Sequence, residues 1–141
     1  MENKRYKPLI GKTFWIIWVP TLTLLLCATA LSAVSLGAIL IMAATDAFVL
    51  YFLFSSIFAY AELREHTLYI KFGFIIKREI PYNKIRAIIK ERRFYSESML
   101  SIKNSAEHVT VKYNKFDTAC VSVVNNDEFI AELRARMENQ E

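Results

Sequence analysis

The sequence predicts an N-terminal transmembrane α-helical hairpin followed by a small α+β domain, an antiparallel sheet sandwich or open barrel closed by one C-terminal helix. Three observations carry this reading. Between Thr13 and Ala61 the only charged side chain is Asp46, whereas residues 62–141 hold 14 Lys/Arg and 12 Asp/Glu. After Ala61 apolar and polar residues alternate with the period of two that marks strands. From Asn125 onward the apolar residues recur at the three- and four-residue spacing of a helix.

The hydrophobic share of 54% exceeds what a wholly soluble chain needs. As one helix, residues 13–61 would run about 73 Å, against a hydrocarbon core of about 30 Å, so the run divides into two spans, about 13–33 and 38–60. The turn falls within "LSAVSLG", Leu31 to Gly37. Residues 1–12 then form a basic N-terminal segment, and residues 62–141 the soluble domain. A secretory signal competes, because "MENKRYK" is a basic start and "ATA" or "LSA" near Ala33 resembles a cleavage site; the apolar character, however, continues for nearly thirty residues beyond it. A lipoprotein signal at Cys27 fits poorly after Leu26. Lys4, Arg5, Lys7 and Lys12 precede the first span and Arg64, Lys71, Lys77 and Arg78 follow the second, with no Lys or Arg between. The expectation is a multi-pass cell-membrane protein with both termini cytoplasmic. Trp15 and Trp18, with Phe58 and Tyr60, then lie near the inner interface.

Asp46 has three readings. It is a functional intramembrane carboxylate, for a proton or a ligand. In another register, with the turn at "AATD", it meets the outer water. In the third it is buried, protonated and hydrogen-bonded across the hairpin to Thr29. A single carboxylate without a partner does not make a transport pathway.

In the soluble half, Leu68, Ile70 and Phe72 share one face, Gly73 permits a turn, and "FIIKREI" begins a new strand that ends at Pro81, which has no N–H to donate. "KIRAIIKERR" sets Ile85, Ala87 and Ile89 on one side, with Lys84, Arg86, Ile88, Lys90 and Arg92 on the other. "HVTVKY" and "TACVSVV" supply two more strands, with Val109 and Val111, then Ala119, Val121 and Val123, in phase. The closing helix starts at Asn125 with Glu128 three residues on, buries Phe129, Ile130, Leu133 and Met137, and pairs Glu132 with Arg136. The arrangement fits a pleckstrin-homology (PH) architecture.

"YAELREHTLYIKFG" (60–73), "REIPYNKIRAI" (78–88), "SESMLSI" (96–102) and "DEFIAEL" (127–133) together resemble the bacterial YyaB-like PH domains, which often follow a transmembrane hairpin. By that resemblance the serine-bearing stretch is a connection between strands whose hydroxyls cap backbone groups. No glycine-rich nest accompanies it, as a phosphate cradle would need. The resemblance also implies a second role, because the family includes sublancin-type immunity proteins that protect a producing cell from its own antimicrobial peptide.

No catalytic pattern emerges, and an enzyme is not expected. His66 and His108 lie far apart, each at an expected strand edge in a solvated or capping role, and no zinc-ligand spacing surrounds them. Cys27 and Cys120 fall in different environments, which argues against a disulfide. No phosphate-binding loop or dinucleotide fingerprint is present, and no cofactor or metal is expected. Charge is the informative feature: Lys77, Arg78, Lys84, Arg86, Lys90, Arg92 and Arg93 against Glu79 and Glu91 give a local net of +5, much of it in one row on a strand face. Such a row suits either anionic headgroups beneath the membrane or ordinary solvation. Nucleic acid is not an expected partner, since no recognition helix or stacking motif is present. The expected function is a non-catalytic membrane protein presenting a PH-like domain to the bilayer surface or to another membrane protein.

Overall fold

The computed structural model describes residues 2–93, 100–102 and 106–140. The first strand, β1 (Lys4–Tyr6), is followed by two long helices, α1 (Lys12–Leu31) and α2 (Leu36–Ile57). Then come β2 (Tyr60–Leu63), β3 (Thr67–Phe72) and β4 (Ile76–Pro81). A short 3-10 turn over Tyr82–Lys84 leads to β5 (Ile85–Arg92), β6 (Leu100–Ile102), β7 (Glu107–Tyr113), β8 (Asp117–Val121) and the closing helix α3 (Asn126–Glu138). The strands form two four-stranded sheets, in the orders β1-β2-β3-β4 and β5-β7-β8-β6.

The basic segment expected at residues 1–12 is not separate from the domain. Lys4, Arg5 and Tyr6 pair antiparallel with Leu63, Glu62 and Ala61. The chain then continues into the second sheet: Pro8 bridges Val123, the Leu9 amide donates to the Ser122 carbonyl at 3.0 Å, and the Val124 amide donates to that of Lys7 at 3.1 Å. Tyr6 is 7% exposed and meets Phe129 edge-on at 5.3 Å between ring centroids. The helical hairpin is therefore inserted between two neighbouring strands of one sheet. The start of α1 and the end of α2 consequently emerge at the same end of that sheet.

The core lies between the sheets. Leu63, Leu68, Ile70 and Ile80 from the first meet Val109, Val111, Ala119 and Val121 from the second, and Phe129 and Leu133 of α3 close the open end. Alternation places these residues inward, except in β5. There a bulge between Ile85 and Ala87 inserts Arg86 as an extra residue. The side-chain phase reverses beyond it. Ile88 rather than Ile89 then packs on the core, and Ile89 is left exposed. The expected single row of Lys84, Arg86, Lys90 and Arg92 is broken for the same reason. The serine-bearing connection, residues 94–99, lies outside the described residues, while Leu100–Ile102 of the same stretch forms a strand parallel to β8.

The closing helix starts as its sequence requires. The Asn125 side chain accepts from the Glu128 amide at 3.3 Å and its own amide group donates to the Glu128 carboxylate at 2.9 Å, a reciprocal cap. Its last turn holds a buried cation: Arg136, 5% exposed, donates to the carbonyls of Leu63, Arg64 and Glu2 and to the Glu132 carboxylate. One guanidinium thus ties α3 to β2 and to the chain entering β1.

The helices α1 and α2 span 20 and 22 residues, about 30 and 33 Å at roughly 1.5 Å per residue, and each is long and apolar enough to cross a membrane. They are slightly shorter than the expected 13–33 and 38–60. Their apolar side chains face outward, Leu24, Leu26 and Ile41 among them, so an apolar surround is what these helices require. The Ser35 hydroxyl caps α2 at the amide of Ala38, 3.3 Å away.

The insertion makes a specific demand on stability. A domain begun at Ala59 lacks β1 and opens the Tyr6 site over Phe129. Urea unfolding of residues 59–140 should show lower stability than the same domain with residues 2–9 joined by a flexible linker in place of the hairpin. In the joined form Tyr6→Ala should cost about 3 kcal/mol, the scale of removing a buried aromatic ring.

Candidate functional site

The residues of interest follow from the register of the first sheet. Arg5, Glu62, Tyr69 and Glu79 are aligned across its four strands. Two residues nearer the helices, Tyr60, Lys71 and Lys77 are aligned in the same way, and Lys7, one residue beyond Tyr6, shares a groove rim with Tyr60. Directly paired residues share a face, so the two rows lie side by side on the outer surface of the sheet.

The row farther from the helices is balanced. Glu62, 7% exposed, accepts from Arg5 at 3.0 Å and from Arg64 at 3.1 Å; Arg64 reaches on to Glu79 at 3.3 Å, and Glu79 accepts from the Thr67 hydroxyl at 2.7 Å. The guanidinium of Arg5 stacks over Tyr60 at 4.3 Å and that of Arg64 over Tyr69 at 4.0 Å. Burial pushes the Glu62 carboxyl up, but the hydrogen bonds and charges of Arg5 and Arg64 outweigh it and hold it below its ordinary value.

The row nearer the helices is cationic. Among the described residues Lys7, Lys71 and Lys77 have no carboxylate partner, and Lys71 lies 5.9 Å from the Tyr60 ring. Lys12 opens α1 at the same end. Beside them an open groove of about 360 Å³ runs along the base of the hairpin, rimmed by Arg5, Lys7 and Tyr60 and floored by apolar side chains that include Pro8, Ile10 and Phe58. Charge is thus segregated along the sheet, balanced away from the helices and positive beside them.

The seven cations singled out from the sequence do not form one surface. Lys77 belongs to the row just described, and Arg78 donates to the Tyr113 hydroxyl at 3.3 Å on the face turned to the second sheet. Arg86, the bulged residue, donates to the carbonyls of Asn114 and Lys115 and lines an open cleft of about 420 Å³ at the β7–β8 turn. Lys90 pairs with Asp127 at 2.7 Å and Arg93 stands 3.8 Å from Glu91. Lys84 and Arg92 are exposed, at opposite ends of β5. Lys7 and Lys71 belonged to the charge count that oriented the hairpin, but only the register aligns Lys71 with Lys77 and only the fold brings Lys7 to the groove beside Tyr60.

Within the hairpin, Asp46 stands midway along α2 and not in a turn; the turn is at residues 32–35. The Thr29 hydroxyl lies 3.1 and 3.2 Å from its carboxyl oxygens and 2.9 Å from the Leu25 carbonyl. This is a polar contact between helices in otherwise apolar surroundings. The histidines diverge: His66 is exposed beside Gln140, whereas His108 is 1% exposed, with Nδ1 3.2 Å from the Ala106 carbonyl and Nε2 3.6 Å from Glu91. Among the described residues no three His, Cys, Asp or Glu side chains gather as a metal site, and Cys27 and Cys120 are both free.

Two sheets, antiparallel except for the β6–β8 pair, closed by a C-terminal helix and carried on an apolar helical pair, define a PH-like domain attached to a hairpin. The family described as "Bacterial PH domain" matches residues 60–137, more than half of the chain, and the protein belongs to that family. The match begins at β2, so β1 and the hairpin lie outside it. No curated protein matches the chain.

Two outcomes follow from this geometry. Because the folded-state Glu62 carboxyl titrates below its ordinary value of 4.5, its contribution is fully present above that pH and is lost as pH falls through the depressed value. Acid unfolding followed by circular dichroism should therefore show a smaller drop in stability below pH 4.5 for Glu62→Gln than for the native domain, from a lower starting stability at pH 7. In the hairpin, Asp46→Asn keeps an acceptor for the Thr29 hydroxyl and should leave helix association unchanged, whereas Asp46→Leu should weaken it by about 0.6 to 2 kcal/mol, read by steric trapping in bicelles.

Proposed function

We propose that this protein is a non-catalytic, membrane-anchored binding module whose PH-like domain is held against the cytoplasmic leaflet and engages anionic lipid headgroups at its membrane-proximal row. The observation that carries the reading is the alignment of Lys71 and Lys77 with Tyr60 on the sheet rim beside the two apolar helices, with Lys7 on the rim of the groove that Tyr60 also lines. A helix pair inserted between adjacent strands supports a path that crosses the membrane and returns to the same side. The excess of Lys and Arg on both flanks favours the cytoplasmic side for the domain. In that position each lysine is worth about 1 kcal/mol toward an anionic surface, and the groove at the hairpin base offers an apolar wall for an acyl chain beneath a headgroup held by Arg5 and Lys7.

The test is lipid retention. The full-length protein, extracted from vesicles of equal phosphatidylglycerol and phosphatidylcholine, should carry phosphatidylglycerol in several-fold excess by native mass spectrometry. The triple variant Lys7→Gln, Lys71→Gln, Lys77→Gln should carry the two lipids equally. Equal retention by the native protein would refute the lipid reading. The orientation has its own check: a cysteine at Glu65, on the β2–β3 turn far from the helices, should react with an impermeant maleimide only after cells are opened.

A further inference from the structure

The turn between β3 and β4 is built unlike a turn that faces water. Its pairing ends with Phe72 opposite Ile76, one step beyond the Tyr60–Lys71–Lys77 row and so past the point where β2 gives way to the hairpin. Gly73, at φ 71°, makes the reversal against α2. A methyl group there would lie 2.7 Å from the Ser55 Cβ, so the backbone of the turn is packed onto the helix. The next residue, Phe74, meets Tyr51 at 6.4 Å between ring centroids. Tyr51 is six residues before the end of α2, about 9 Å along the helix axis. The turn thus rises beside an apolar helix, and its side chains are Phe74, Ile75 and Ile76, 62%, 75% and 46% exposed. Lys71 and Lys77 flank it, in a row at the level where the helices begin.

We propose that this turn is a third membrane contact: Phe74, Ile75 and Ile76 insert into the hydrocarbon boundary of the leaflet on the domain's side, alongside α2, while Lys71 and Lys77 stay at the headgroups. The occupant of the apolar tip is lipid, because the tip is continuous with the outward-facing apolar surface of a membrane-crossing helix and is bracketed by cations whose aliphatic stems reach the boundary while their charges stay in water. Three points of attachment, two helices and one turn, fix the tilt of the domain over the bilayer, which a two-residue link from α2 to β2 alone does not. Gly73 is required because any side chain at that position lifts the tip away from Ser55.

The proposal rests on the reading that the hairpin spans the membrane, and the experiment separates the two. Full-length protein is prepared with one thiol at a time: native Cys27 in α1 with Cys120→Ala, and Ile75→Cys or Glu65→Cys with both native cysteines replaced by Ala. Each is labelled with an environment-sensitive fluorophore and reconstituted in phosphatidylcholine–phosphatidylglycerol vesicles. The expected result is quenching by spin-labelled lipid but not by iodide at positions 27 and 75, and the reverse at 65. Iodide quenching at 75 equal to that at 65 overturns the insertion while leaving the hairpin intact. Protection from both quenchers at 75 also overturns it, since a protein surface or a second copy then covers the tip. Failure of lipid quenching at 27 overturns the spanning hairpin and the insertion together. As a second variant in the same labelled backgrounds, Gly73→Ala should raise iodide access at 75 several-fold without changing access at 27.

Discussion

Three residues, Lys4 to Tyr6, lying antiparallel on Ala61 to Leu63, constrain the rest of the molecule. Adjacent antiparallel strands ordinarily require only a short turn between them. Here more than fifty residues intervene, and α1 and α2 both lie within them. The ladder brings the two ends of that insertion together at one end of the sheet, whatever the charges on either side. It also joins the sheets, because the segment that leaves β1 goes on to bridge Val123 beyond β8. Loss of this strand would expose the flank of β2, leave Phe129 without its aromatic partner and free the carbonyl of Glu2 from Arg136.

The electrostatics follow from the same register. A carboxylate as deeply buried as Glu62 is costly unless it is paired, and the two guanidiniums that pair it come from β1 and from the end of β2. Their planar faces cover Tyr60 and Tyr69, so one outer surface of the sheet is closed by stacked cations and shared carboxylates. Two residues closer to the helices no carboxylate is aligned, and the lysines there are left for water or for headgroups. The division between a self-satisfied surface and an unsatisfied one therefore coincides with distance from the hairpin.

Much of this fold is written in the spacing of apolar residues. The long apolar run gives the helix pair, since length and the absence of charge suffice for that. The inward sets Leu68 and Ile70, Val109 and Val111, Ala119 and Val121 give their strands, and Asn125 with Glu128 gives the start of α3. The strand at Lys4–Tyr6 was not legible, because three residues are too few to show alternation and their charges already had an explanation in membrane orientation. The bulge at Arg86 was hidden for a related reason: "KIRAIIKE" reads as unbroken alternation, and only pairing with β7 shows that one residue is unmatched. Arg136 keeps the expected pair with Glu132, but spacing alone did not show that it is buried and also donates to three carbonyls far away in sequence. The rim of lysines was likewise out of reach, since Lys71 and Lys77 come together only through the register and Lys7 joins Tyr60 only in the folded groove.

The pairing of β1 with β2 can be read directly in the membrane. Cysteines replacing Arg5 and Glu62, in full-length protein without its native cysteines, face each other as partners across the two strands, within the span of a disulfide. After mild oxidation of membranes both thiols should be lost together from maleimide–polyethylene glycol labelling, at any dilution of the protein, as they should for a reference pair at Tyr69 and Glu79. Two free thiols at 5 and 62 alongside a linked pair at 69 and 79 would contradict the insertion of the hairpin into the sheet.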